Sequence, residues 1–270
     1  MAGSKPLRGA AFLFAVAVGL LAGCTTPDGV RFGRRSSCPE PIVEILTVRP
    51  SELGPWSETD TLECALSWLQ DTDDPTLRRS ALGSRLSLHL AERTPEADKR
   101  ENLAAEGVRF AEAAVALGAD GDGAVHYYLA ANLGLVIRDH VALAMENLPR
   151  LQGEMQRAVD LSRRSTTAGR SECFGILYLK APPWPTGFGD SEKALELLQA
   201  VVEKHPRHPL NRLFYAEVLW EADASSPVER IEAELATGMR LLAEGNGGYN
   251  RAPWKKEFDR FLDDIGGSER

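Results

Sequence analysis

From about residue 60 onward, apolar positions recur every three to four residues and almost never every two. Phe174, Leu177 and Tyr178 fall on one helical face, and Ala194, Leu197, Leu198 and Val201 repeat the pattern further on. This period predicts an all-α chain of about ten helices, near 60–70, 75–92, 95–117, 123–139, 142–164, 168–180, 190–204, 209–222, 227–244 and 252–265. Short connections between them predict antiparallel hairpins stacked side by side. Ile42 to Val48 is the one strand-like run.

Several helix starts are written locally. Asp74-Pro75, Thr94-Pro95, His208-Pro209 and Ser226-Pro227 place Pro at a first helical position. Ser226 with Glu229 reads as a capping box, and Asp190 as an N-cap with Glu192 at the positive helix end. Trp254, Phe258, Phe261, Leu262 and Ile265 form the apolar side of a last, capping helix that Gly266 and Gly267 stop.

The segment Phe174 to Pro206 departs from a simple hairpin. Small residues, Gly175 and Ala194, stand where two helices must approach closely, and Pro206 lies twelve residues after Ala194. That spacing is similar to the second helix of a tetratricopeptide repeat. Gly175 and Ala194 are nineteen residues apart, about seven more than such a repeat uses. The excess is the joint Pro182-Pro183-Trp184-Pro185-Thr186-Gly187-Phe188, whose prolines hold it near polyproline II. Trp184, its largest apolar surface, either plugs one edge of the repeat core or contacts a partner.

Lys180-Ala181-Pro182-Pro183-Trp184-Pro185, then Gly189-Asp190 and Lys193-Ala194, resemble the T-component of TRAP transporters. The likeness extends by repeat spacing alone to about Gly107 and Leu242. It implies a periplasmic lipoprotein with a tetratricopeptide-like superhelix, working beside the solute-binding subunit of a tripartite transporter. That family offers no catalytic residue to carry over.

Residues 1–23 read as a lipoprotein signal peptide. Lys5 and Arg8 precede an apolar core from Ala10 to Ala22, too short to span a membrane, and Leu21-Ala22-Gly23-Cys24 forms a lipobox. Cys24 is thus the expected lipidation site, and Thr25 after it favours the outer membrane in a Gram-negative host. Residues 24–41 form a Pro- and Gly-rich tether, 42–266 the helical body, and 267–270 a tail. Export leaves three other thiols in an oxidising compartment. Cys38 and Cys64 form the expected disulfide, and Cys173 reads as a small buried hydrophobe.

The formal charge is −8, and removing Lys5 and Arg8 with the leader makes it −10. An acidic body argues against nucleic acid and against a charge-driven grip on anionic lipid. Metal and cofactor signals are lacking. Asp120-Gly121-Asp122-Gly123 starts like a calcium loop, but Ala124 and Ala131 stand where ligands belong, so it reads as a turn. His205 and His208 are separated by Pro206 and precede Pro209, which makes a loop and not a zinc helix. No nucleophile motif or phosphate loop is present, so the chain reads as non-enzymatic.

Tyr127 and a stripe of Tyr128, Asn132, Leu135 and Asp139 on one helix are the remaining candidates. They line a concave surface, or else Tyr128 and Leu135 pack inside while Asn132 bonds a neighbouring turn. Together these observations predict an anchored helical-repeat lipoprotein without cofactor. Its predicted work is presentation by a concave wall, with aromatic anchors and an acidic rim, to the solute-binding subunit or a small apolar ligand. An envelope-assembly scaffold that grips peptide segments is the alternative, and self-assembly is left open.

Overall fold

The computed structural model describes residues 38–71, 75–162, 175–176, 178–181, 188–222 and 225–266. Cys24, Cys173 and Trp184, with most of the Pro-rich joint, lie outside the described residues. Ten α-helices are traced end to end: α1 Glu40–Val48, α2 Thr59–Gln70, α3 Leu77–Arg93, α4 Ala97–Ala116, α5 Gly123–Ile137, α6 Val141–Ser162, α7 Ser191–Lys204, α8 Pro209–Ala222, α9 Val228–Ala243 and α10 Arg251–Gly266. Residues 175–176 and 178–180 belong to an eleventh, between α6 and α7. There is no β-strand among the described residues, and none of their helices is long and apolar enough to cross a membrane.

The strand-like run Ile42 to Val48 is a helix. Pro41 fits the first turn of α1, where its missing N–H costs nothing, and Ile42, Ile45 and Leu46 meet the N-terminal core at helical spacing. Helix α1 starts inside the range expected for the tether. Cys38 ahead of it is joined to Cys64 of α2 by a disulfide, with Cα atoms 5.6 Å apart.

Caps divide between expected and unexpected. Asp190 accepts the Lys193 amide at 2.9 Å, and Pro209 opens α8. At α9 the cap position is Pro227, one residue beyond the Ser226 expected there. At α4 the helix starts at Ala97, two residues beyond Pro95. Helix α3 is capped by Thr76, which accepts the Arg79 amide at 3.3 Å. The Asp-Gly-Asp-Gly run is a turn: Ala119–Gly121 is one turn of 3₁₀ helix, and Asp122 caps α5 by accepting the Ala124 amide at 2.7 Å.

Consecutive helices pack as antiparallel neighbours from α3 to α6 and again from α7 to α10, and α3 also touches α5 across α4. That second-neighbour contact is what stacks one hairpin on the next. Close approach depends on missing side chains. A Cβ on Gly107 of α4 would lie 2.4 Å from Asn132 of α5, and one on Gly238 of α9 would lie 2.5 Å from the Phe258 ring of α10. One apolar core joins α1 to α4 around Leu62, Leu66, Leu86 and Leu103. A larger one runs from α5 to α10 around Leu198, Leu213, Ile231 and Phe258, and Val136 touches both.

The stack does not end free. After α9, Gly245 (φ 91°) closes a Schellman turn, its amide reaching Leu242 O at 3.1 Å and that of Asn246 reaching Leu241 O at 3.2 Å. The chain then runs back to the first hairpin. The Tyr249 amide donates to Pro55 O at 3.2 Å. Arg93, at the end of α3, donates to Asn250 Oδ1 (2.8 Å), Ser57 O (2.7 Å), Pro55 O (2.8 Å) and Gly54 O (3.3 Å). Asn250, fully buried, donates in turn to Glu92 at 3.0 Å. Gly248 is needed here twice: its φ is +52°, and a Cβ would lie 2.5 Å from the Trp56 ring. The two ends of the helical stack are therefore clasped through one guanidinium.

Candidate functional site

Beside the clasp lies an open groove with a volume of about 550 Å³. The end of α3 and the turn after it supply Glu92, Arg93, Thr94 and Pro95. Helix α4 adds Arg100, α5 adds Leu135, the turn after α5 adds Arg138, and α8 adds Phe214. Helix α10 closes the far side with Pro253, Trp254, Lys256 and Glu257. Leu135, Phe214, Pro253 and Trp254 are half-buried and form the apolar floor. Trp254 is held from behind by the His208 ring, 5.2 Å away and tilted by 59°. Burial pulls the His208 imidazole below its ordinary pKa near 6.5, with an Asn211 hydrogen bond opposing, so this support is neutral.

The rim is not acidic. Four cations, Arg93, Arg100, Arg138 and Lys256, line the groove against two carboxylates, Glu92 and Glu257. Arg100 is spent on Asp139, at 2.7 Å, and Arg93 on the clasp. Burial lowers the Arg93 pKa from its ordinary value, with Glu92 opposing.

The candidate stripe on α5 separates into different environments. Asn132 is fully buried. Its amide donates to Tyr128 O (2.8 Å), Ser84 O (3.0 Å) and Ser84 Oγ (3.2 Å), so it ties α5 to α3 and lines no surface. Tyr128 is half-buried, edge-on to Tyr127 at 5.1 Å and to His89 at 6.3 Å. Tyr127 packs against the larger core. Asp139 is exposed and paired with Arg100. Of the stripe only Leu135 lines the groove, while Asp139 pairs with its Arg100.

Two polar clusters stand elsewhere. His126 is fully buried, its Nδ1 2.6 Å from Glu154 and its Nε2 2.9 Å from Asp120 O. It joins the Asp-Gly-Asp-Gly turn to α6, while the Asp120 carboxylate faces Arg157 at 3.2 Å. No nucleophile is among these contacts. Lys180, first residue of the Pro-rich motif, reaches Glu217 at 3.2 Å and also Glu221, docking the start of the joint on α8. Burial raises the Glu217 pKa, with Lys180 opposing, and the two carboxylates together hold Lys180 protonated. No group of three or more His, Cys, Asp or Glu residues suited to a metal occurs among the described residues.

Phe214, Trp254, Arg138 and Lys256 were not legible as a site. Trp254 reads from sequence as a capping-helix residue, and nothing local couples positions 135, 214 and 254. No family model matches the chain, and no curated protein matches it.

Proposed function

We propose that this protein is a lipid-anchored, non-enzymatic helical-repeat accessory of a TRAP-type solute uptake system in the periplasm. Cys24 carries the anchor, on the outer membrane in a Gram-negative host. Residues up to the first helix form the tether. The body presents its groove to the transporter's solute-binding subunit or to a small ligand with an apolar body. The observation that carries the reading is the groove itself. It is concave, floored by Leu135, Phe214, Pro253 and Trp254, and built from both ends of one stack. The Lys-Ala-Pro-Pro-Trp-Pro joint and the lipobox supply the transporter and envelope context.

Two measurements test it. Labelled palmitate should enter the wild type and not Cys24→Ser; equal labelling removes the anchor. Tagged full-length protein, purified in mild detergent, should bring down a periplasmic solute-binding protein. Recovery of outer-membrane barrel or cell-wall machinery in its place would favour an envelope-assembly scaffold. Trp184→Ala tests the joint as a contact, with partner capture expected to weaken about ten-fold at unchanged melting temperature.

A further inference from the structure

We infer that Trp56 and Tyr249 form an aromatic foot that rests on the headgroup–acyl boundary of the bilayer, beside the point where the tether enters the body. The inference rests on the lipid anchor at Cys24 proposed above, and adds which face of the body meets the membrane.

Exposure singles these rings out. Trp56 is 61% exposed and Tyr249 47%, and no other Phe, Tyr or Trp among the described residues is exposed. They stand far apart in sequence, yet the fold sets them side by side. The Tyr249 amide donates to Pro55 O at 3.2 Å, and the Trp56 ring lies against Gly248. Arg93 holds the loop that carries Trp56 through the carbonyls of Gly54, Pro55 and Ser57, and covers one face of the Tyr249 ring. The Tyr249 hydroxyl bonds Glu58 at 3.2 Å. An indole and a phenol each join an apolar ring to a polar atom, a combination that favours the boundary between water and lipid.

The tether arrives at the same place. Cys38 is bonded to Cys64, with Cα atoms 5.6 Å apart. Cys64 stands about 7.5 Å along α2 from Thr59, which follows Trp56 by three residues. Trp56 is thus within about 25 Å of the end of the tether. Fourteen residue steps separate Cys24 from Cys38, a reach of at most about 50 Å at full extension. On so short a lead the body meets the bilayer at high effective concentration, so two modest anchors suffice to choose its orientation. Val48, 63% exposed at the end of α1, adds an aliphatic side chain along the same segment.

Area and charge select the occupant. Two aromatic side chains offer at most about 500 Å², below the roughly 800 Å² that each side of a stable protein interface buries. Glu58 holds Tyr249, Glu52 pairs with Arg49, Asp60 is exposed nearby in the chain, and Arg93 serves the clasp. This balance fits a zwitterionic surface held by rings, and not an anionic one held by charge.

The test uses the full-length lipoprotein reconstituted in phosphatidylcholine vesicles, with or without bromine on the acyl chains near the headgroup. Bromine quenches tryptophan on contact. The emission of Trp56 is the difference between wild type and Trp56→Phe, whose circular dichroism and urea midpoint check its fold. The expected result is at least about two-fold quenching of that difference, unchanged by raised sodium chloride or by added phosphatidylglycerol. Leu117→Trp in the Trp56→Phe chain is the control. Leu117 is exposed at the far end of α4, about 30 Å of helix from the clasp, so the added indole should stay unquenched. Equal emission in brominated and plain vesicles overturns the inference and leaves the anchor standing; crosslinking of neighbouring bodies would then assign the rings to a second copy. Quenching of Trp56 and the added indole alike means contact without a preferred face, and also overturns it. Quenching that needs phosphatidylglycerol and vanishes in salt overturns it in favour of a charge contact. A protein that fails to float with the vesicles overturns the anchor and this inference together.

Discussion

Replacing Arg93 with Ala should unclasp the stack. Its guanidinium makes four donations, to Asn250, Ser57, Pro55 and Gly54, and lies over the Tyr249 ring at 5.5 Å. Hydrogen bonds from a charged donor contribute about 1.5–3 kcal/mol each when fully counted. The site is only half-buried, and water replaces part of the lost bonding at the carbonyls of the 54–57 loop. The net cost should therefore be about 3 kcal/mol, less than the sum of the bonds. For a body of this size, 1 kcal/mol moves the melting temperature by about 2–4 °C, so a fall of roughly 6–12 °C is expected. Asn250→Ala removes the same Nε acceptor and releases Glu92, so the two changes are not independent. Urea unfolding of both single variants and the double variant should give a coupling energy of about 1 kcal/mol or more. A coupling below about 0.3 kcal/mol would refute the clasp, because additive losses mean that Arg93 and Asn250 do not meet in solution.

Gly248→Ala should lower stability by about 1–3 kcal/mol through its positive φ and the Trp56 ring, measured by the same urea titration. Gly107→Ala should cost a similar amount, about 1–3 kcal/mol, because its methyl meets the buried Asn132 amide; an unchanged midpoint would contradict the packing of α4 on α5. Phe258→Ala, at a fully buried ring against Gly238, should cost about 3–5 kcal/mol by thermal or urea unfolding. The Glu217 carboxyl is raised above its ordinary 4.5 by burial, so the folded state binds its proton more readily than the unfolded state. Its effect on stability is therefore most favourable below pH 4.5 and is lost as pH rises through the folded pKa. Lys180→Met removes the opposing charge and should steepen that loss. The difference between wild type and variant should be largest at neutral pH and shrink toward pH 4; a pH-independent difference would contradict it.

The period of apolar positions sufficed for the helices, because 3.6-residue spacing is a local property that tertiary contacts only reinforce. Asp190 and Pro209 likewise act on their own turns. Where sequence misled, a longer-range contact decided. Ile42 to Val48 has strand-like composition, yet it is helical: Pro41 opens a turn, and Ile42, Ile45 and Leu46 pack on the N-terminal core. Asn132 had two environments open to it, a concave surface or a bond to a neighbouring turn, because stripe position fixes only the face of the helix; the buried, bonded one holds. The depth of that face was set by Gly107, whose missing side chain lets α4 close over it.

The groove and its clasp belong wholly to the tertiary structure. Arg93 and Asn250 are separated by 157 positions, and neither has a local pattern that names the other. Their meeting depends on how many hairpins are stacked and on the reversal at Gly245 and Gly248. The charge of the site was decided in the same way. The chain is net acidic, which predicts an acidic rim. Which charges face the cavity is a matter of helix rotation and pairing, and folding places Arg93, Arg100, Arg138 and Lys256 on its wall with only Glu92 and Glu257 beside them. Helix identity is thus carried by short-range periodicity, whereas the site is an outcome of where distant helices are brought to rest.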